Sequence, residues 1–482
     1  MLAFVTLFLG LTGGVQLVEL AVPANVARVE LRLDGEVVET LAGPPWRAEV
    51  DLGGALLPHR LEAVAYAADG TSLDTAEQWL NLSTSGQSGE LFLERDESGR
   101  PVAARVLWQS VQYTRPGRIT VHLDGEELPV VDDRATLPEL DAREAHVLSA
   151  ELEFPDGEVV RDHRLFGGAY GEETQTELTA VALEVERRRA LRRAPQAEGL
   201  LTAGGRPARV AALDRGGFDL VVVADRSAVR ELERMRHVIG STEQSARLRA
   251  LDPNLPPDVG LPDVHAGMDR GDRLFFVRPQ ARKVSTGTRP YAIFDLSQPL
   301  TGEHGGIPWL LTHRQAYLDM PGEPQRLGDA IANAGMFAAA NGRARAVLLL
   351  VGPDSEDHSQ LPPEIVRRYL AAVGVPLRVW YLDTDVIIMT ERHQEEAEQE
   401  EAAKLAAAAE TGVAPPTLEE QVARVEARWD EPAVVIQRTG DLLDAADDLG
   451  DELERQRVVW IEGRWLPQEV EVAAGRGVRL PD

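Results

Sequence analysis

The 482-residue chain contains no cysteine, which excludes disulfides, thiolate metal sites and cysteine nucleophiles. Basic residues are few beside acidic ones: 50 Lys and Arg against 79 Asp and Glu leave a net charge of −29. Phosphate contacts need clustered Lys and Arg. The short basic cluster Glu186 to Arg193 reads as a solvated helix face or linker, so neither nucleic acid nor an anionic membrane is expected as a partner. No stretch is apolar enough over the ~20 residues that a membrane helix requires. Catalytic signatures are also missing: there is no H-E-x-x-H, G-x-S-x-G, P-loop or G-x-G-x-x-G, and His304, His313, His358 and His393 are scattered.

Hydrophobic residues at 44% and charged residues at 27% fit globular domains, and the length calls for two to four of them. The chain opens with an apolar stretch, Leu2 to Leu11, of signal-peptide length. No Lys or Arg precedes it and no clear small-x-small cleavage site follows. Residues 1–14 are therefore expected to form a signal-like segment of an extracytoplasmic (periplasmic, surface or secreted) protein. The alternative is a buried first strand.

The first third repeats itself. "RVELRLDGE" (Arg28 to Glu36) returns as "RITVHLDGE" (Arg118 to Glu126), and "HRLEAVAYAADG" (His59 to Gly70) as "HVLSAELEFPDG" (His146 to Gly157). Two matched features in the same order indicate a duplicated domain. Val29, Leu31 and Leu33 alternate with Glu30 and Arg32, so one face is buried and one wet. Asp34-Gly35 and Asp124-Gly125 are hairpin turns, where glycine tolerates positive φ. Short strands at this spacing build β-sandwiches. Two all-β modules follow, over 15–82 and 83–167, and both resemble the immunoglobulin-like modules of bacterial surface and secreted proteins. His59 and His146 hold equivalent places, and one histidine per copy reads as a turn or strand-edge residue rather than a metal site.

Residues 168–216 read as a connecting β segment, with strands at Thr174 to Arg187 and Arg206 to Leu213. From Phe218 the pattern changes to α/β, expected over 217–482. Leu220 to Ala224 is a continuous apolar run, as for a strand buried on both faces. Further strands are expected at Arg273 to Pro279, Tyr291 to Leu296, Arg345 to Gly352, Pro376 to Asp383 and, near the end, "RVVWIEG". Helices are expected at Val229 to Ile239, Arg326 to Ala340, Pro362 to Gly374 and in "GDLLDAADDLGDELERQ". This alternation gives a mostly parallel sheet covered on both faces. An Ala/Glu-rich segment at about 391–430 interrupts it, with seven glutamates against one arginine and one lysine between 391 and 410. It reads as one or two solvated acidic helices inserted before the last strand, or as a partner-binding arm.

The strand ending in Asp225-x-Ser227, and the pair "AVLLLVGPDSEDHS…VGVPLRVWYL", resemble a von Willebrand factor A domain. Together with the tandem modules ahead of it, the arrangement resembles a bacterial class of exported proteins with von Willebrand-related domains. The resemblance implies a ring of oxygens around Mg²⁺ with one position left for a partner's carboxylate. Asp225 and Ser227 fit the first two ligand places. The third is Val229, which cannot coordinate. The threonine place holds Gln325 or Arg326, and the aspartate place falls on Gly352, with Asp354 and Asp357 nearby.

No cofactor is therefore expected. The metal site reads as degenerate, with Asp225 capping the next helix and Arg326 as a candidate cation filling the vacant place by pairing with Asp225. Arg270-Gly271-Asp272 reads as a turn and Asp354 to Ser359 as a solvated loop; Asn81 opens a formal glycosylation sequon. The chain is expected to be a non-enzymatic interaction or assembly protein acting on an unknown protein partner or on itself. The alternatives are Mg²⁺-dependent ligand binding through Asp225, Ser227 and Asp354, and a hydrolase of unrecognised type.

Overall fold

A computed structural model describes residues 2–6, 8, 10–82, 87–96, 99–110, 115–141, 146–154, 159–168, 178–186, 191, 194–214, 216–236, 266–286, 289–314, 323–340, 342–353, 355–384, 399, 402, 416–473 and 477–481. The first two units are antiparallel β-sandwiches, each of two sheets. In module 1 one sheet joins Ala3–Phe4, Val15–Ala21 and Arg47–Asp51; the other runs Glu36–Leu41, Arg28–Leu33, His59–Tyr66, Ser72–Leu80. Period-2 alternation delivers Val29, Leu31, Leu61, Ala63 and Ala65 to the core between them. Module 2 repeats the second sheet as Glu126–Leu128, Arg118–Leu123, His146–Glu153 and Val159–Phe166, and packs it on Val130–Val131, Arg134–Thr136, Pro101–Ser110 and Gln87–Arg95.

The leading apolar residues belong to module 1. Ala3 and Phe4 pair with Ala21 and Leu20, Leu2 is buried in the core, and Phe4 and Phe8 pack against it. The Leu2 amide donates to Asp74 and the Phe8 amide to Gln78, both at 2.7 Å. Apolar side chains beside an open sandwich edge are buried there, the arrangement that the buried-strand alternative describes.

The connecting segment is half of a third β unit. Leu178–Val185 and Val210–Asp214 both pair with Gln456–Glu462, and Val478–Arg479 adds an edge. A smaller sheet of Arg206–Pro207, Leu201–Ala203 and Val470–Val472 covers it. The "RVVWIEG" strand, expected to close the α/β sheet, is instead the centre of this unit. The α/β boundary at 482 is corrected accordingly, because the chain re-enters the β unit at Gln456. A short continuous apolar run cannot specify which sheet a strand joins.

Between those strands lies a doubly wound α/β domain. Its strands are β1 (Phe218–Ala224), β2 (Arg273–Thr286), β3 (Arg289–Leu296), β4 (Ala344–Val351), β5 (Leu377–Leu382) and β6 (Ala433–Ile436). They lie in the order 3-2-1-4-5-6, all parallel except β3, which forms a hairpin with β2. A two-residue strand, Leu300–Thr301, pairs with the start of β2. The helices are α1 (Arg226–Met235), α2 (Ile307–His313), α3 (Leu327–Ala340), α4 (Pro363–Ala372), α5 (Leu418–Trp429) and α6 (Thr439–Leu453). Leu220 and Val222 point to the side covered by α1, α2 and α6. Val221 and Val223 point to the side covered by α3, α4 and α5. Burial on both faces explains why β1 is a continuous apolar run.

Two expectations change here. β2 runs past Pro279 to Thr286. The 391–430 segment is not wholly an insertion, because α5 is the regular crossover helix leading to β6, a strand whose short "AVVI" was not anticipated. Most of 385–415 lies outside the described residues.

The domains share buried contacts. The Tyr369 hydroxyl of α4 donates to the Asn81 carbonyl of module 1 at 3.0 Å. Arg273 grips Asp219 through two hydrogen bonds of 2.8 Å and pairs with Glu151 and Glu153 of module 2. Arg343 adds a second guanidinium, 3.2 Å from Asp219 and 3.7 Å from Glu151.

Candidate functional site

The candidate site lies where β1 and β4 end, the point at which the sheet's connections switch direction. The Asp225 amide donates to the Leu350 carbonyl at 3.0 Å, tying the two strand ends together. Asp225 has extended backbone angles and is the N-cap of α1. Its Oδ1 accepts from the Ala228 amide at 2.6 Å and from the Ser227 hydroxyl at 2.7 Å. This satisfies an orphan amide of the helix start. The carboxyl is completely buried, and burial raises its pKa above the usual aspartate range against the hydrogen bonds of Ser227, Ser355, Ala228 and Gly352.

The other places that the resemblance assigns to ligands hold different chemistry. Val229 is buried among apolar neighbours. Gly352 sits so close to α1 that a Cβ there would be 2.9 Å from the Ala228 nitrogen and from the Ser227 hydroxyl. No aspartate fits without moving the helix. Gln325 is buried, and its side-chain oxygen accepts from the Arg226 amide at 2.8 Å. A carboxamide thus bridges the two loops at the threonine place. Asp354 lies outside the described residues. These residues do not fit an octahedral Mg²⁺ site, which needs several oxygen donors around one point.

Arg326 is corrected. Its Nε donates to Asp329 at 2.6 Å, one turn along α3, and its guanidinium lies over Phe294. Among the described residues no ion pair reaches Asp225. The proximity of Asp329 in sequence (i, i+3) gives Arg326 a cheaper partner than a carboxylate across the site.

The loop is solvated at Ser355, Glu356 and His358, but Asp357 and Ser359 carry a part-buried network. Asp357 accepts from the Leu327 amide at 2.8 Å and the Ser359 amide at 2.9 Å, and pairs with Arg428 of α5 at 2.7 Å. The Ser359 hydroxyl accepts from the Gly328 amide at 2.7 Å. Asp329 accepts from the Gln360 and Leu361 amides at 3.0 and 2.9 Å. These acids and hydroxyls satisfy the first amides of α3 and order the loop. The signal was available in the Asp and Ser of "DSEDHS", but not the identity of the helix they cap.

Each sandwich holds a matched pair. His59 Nδ1 lies 2.7 Å from Asp34 Oδ2, and His146 Nδ1 lies 2.8 Å from Asp124 Oδ2. The other carboxylate oxygen accepts from the Arg60 or Val147 amide, 2.8 Å in both. The two histidines therefore lock the Asp-Gly turns. Asp272 accepts from the Asp269 and Phe218 amides, fitting the turn reading of Arg270 to Asp272. Asn81 is buried, with its amide spent on Thr12 and Leu57, so its side chain is not presented for glycosylation. His304 bonds to Thr301, His313 stacks on Trp309, and His358 is exposed; His393 lies outside the described residues.

These features define a class: tandem antiparallel sandwiches followed by a mixed sheet with helices. No protein family matches the chain, and no curated protein does. Similar solved structures include the fibronectin(III)-like modules of Clostridium thermocellum CbhA, 15% identical over 17% of this chain and 93% of that one, with a TM-score of 0.16. A tetra-tandem repeat from the extending region of a large adhesion protein is 14% identical over 39% and 52%, with a TM-score of 0.13. The human COPII-coat protein Sec24c is 8% identical over 52% and 39%, with a TM-score of 0.25. Likenesses of this extent assign no activity.

Proposed function

We propose that the chain is a non-enzymatic, extracytoplasmic interaction or assembly protein whose von Willebrand factor A-like domain binds a protein partner, or a second copy, without a complete metal site. The observation that supports this best is the close packing of Gly352 on the Ser227–Ala228 backbone, at the switch point of a sheet with order 3-2-1-4-5-6. The fold keeps the mouth at which such sheets bind ligands, while the place of a metal-holding aspartate is taken by backbone.

Thermal unfolding with and without Mg²⁺, Mn²⁺ or Ca²⁺ tests the metal half of this reading. The expected melting temperature is unchanged. A bound cation would add about 2.7 kcal/mol at a hundredfold excess over Kd. A saturable rise that Asp225→Ala abolishes would overturn the reading and favour Mg²⁺-dependent binding through Asp225 and Ser227. The interaction half predicts that partners from the native source, or self-association measured by light scattering, persist in EDTA. Loss of both would overturn it.

A further inference from the structure

A cavity of about 380 Å³ opens beside the Asp225 loop, between the ends of β4 and β5, the start of α3 and one face of α5. Its volume is at the low end for small-ligand sites. Leu327, Val351, Val425 and Trp429 give it an apolar lining, and the first two and Trp429 are almost fully buried. The Tyr381 hydroxyl donates to Gln421 at 2.8 Å, so that polar pair is satisfied internally.

The rim is different. Arg424 and Arg428 both line the opening. They are four residues apart on α5 and so share a helix face, where like charges repel. Arg428 has Asp357. Arg424 has no hydrogen-bond or ion-pair partner among the described residues, and Asp357 already accepts two backbone amides. Among the described residues, one guanidinium therefore stands in surplus over an apolar cavity, in a chain of net charge −29.

We propose that this cavity binds the C-terminal residue of a partner polypeptide, its apolar side chain on the Leu327–Trp429 lining and its terminal carboxylate on Arg424 and Arg428. A C-terminal residue carries both groups on one Cα. In an extended internal segment an acidic residue and its apolar neighbour point to opposite sides. Arginine matches a carboxylate with paired hydrogen bonds. This assignment rests on the interaction reading above and names the ligand chemistry of that end of the sheet.

Fluorescence anisotropy of labelled pentapeptides with the full chain tests it. Peptides ending in Leu with a free carboxylate are expected to bind, and their C-terminal amides to bind about tenfold or more weakly. Arg424→Ala should weaken the free acid by a similar factor at an unchanged melting temperature, with Arg424→Lys between. Equal binding of acid and amide would overturn the proposal, as would an Arg424→Ala Kd equal to wild type or no binding of free acids at about 1 mM. N-acetyl-leucine binding as tightly as the peptides would overturn the polypeptide assignment. If the peptides fail while native partners are still captured in EDTA, the cavity assignment alone falls. If capture itself is absent, the interaction reading falls.

Discussion

Asp225 is a carboxyl that burial pushes towards its uncharged form against four hydrogen-bond donors. Its pKa is raised by burial, so the folded state holds the proton more tightly than the unfolded chain does. Wild-type stability should fall as pH climbs from the ordinary aspartate range through the raised folded-state value. Asp225→Asn does not titrate and keeps an acceptor for Ala228. It should therefore melt higher than wild type near pH 7, the gain vanishing as the pH drops into the ordinary aspartate range; calorimetry across that range checks this. Asp225→Ala strands the Ala228 amide and should cost about 1–3 kcal/mol. Gly352→Asp, which puts an acid at the place the resemblance assigns to a ligand, should cost about 1–3 kcal/mol by forcing side-chain atoms into α1, with no cation-dependent rise in melting temperature in return. The sequence was informative about this site residue by residue: Asp225 as a cap, Val229 as apolar, Gly352 as ligandless. It was silent about Gln325 reaching Arg226 and about Arg326 turning to Asp329, because both depend on how loops far apart in the chain meet.

The Asp-Gly hairpins show how local chemistry is reused. Asp34 and Gly35 have φ of 54° and 89°, and Asp124 and Gly125 have 53° and 87°, the backbone of a type I′ turn. Burial alone would raise the Asp34 carboxyl; the hydrogen bonds of His59 and the Arg60 amide outweigh it and hold the pKa below the ordinary value. The stability this supplies is present above the ordinary aspartate range and is lost as pH falls through the lower folded-state value. Asp34→Ala should cost about 2 kcal/mol at neutral pH, losing both bonds and placing alanine at positive φ. Asp124→Ala should cost a similar amount, which urea denaturation would show. The repeat, the turns and the long amphipathic helices were legible because each is set by residues within one or two turns of chain. The His–Asp pairing was not, since it joins two repeated motifs that lie 25 and 22 residues apart in the chain. The strand β6 was missed for another reason: four apolar residues carry too little period to stand out, and only the crossover helix before it marks the place.

Across the whole molecule, the contact between module 2 and the α/β domain runs through charges. Arg273 is buried with Asp219 on one side and Glu151 and Glu153 on the other. Removing Asp219 takes the shared partner from Arg273 and Arg343 together, and Asp219→Ala should cost about 3–5 kcal/mol. Glu151→Ala leaves Glu153 within 3.6 Å of Arg273 and should cost less, about 1–3 kcal/mol. Its effect should appear as faster proteolysis between module 2 and the rest. Equal protease sensitivity in Glu151→Ala and wild type would show that the charges do not hold the two together.

The strand Gln456–Glu462 lies between Leu178–Val185 and Val210–Asp214, so Val459 pairs with both Val181 and Leu213 although the α/β domain separates them in the chain. A ribosome makes the two flanking strands long before it makes the one that joins them. Until then their inner edges have no partner. The β unit can therefore close only after Gln456–Glu462 has been made, when the whole α/β segment between Asp214 and Gln456 has already left the ribosome. A destabilising substitution in that domain's core is therefore expected to loosen a second structure, a β unit whose own residues are unchanged.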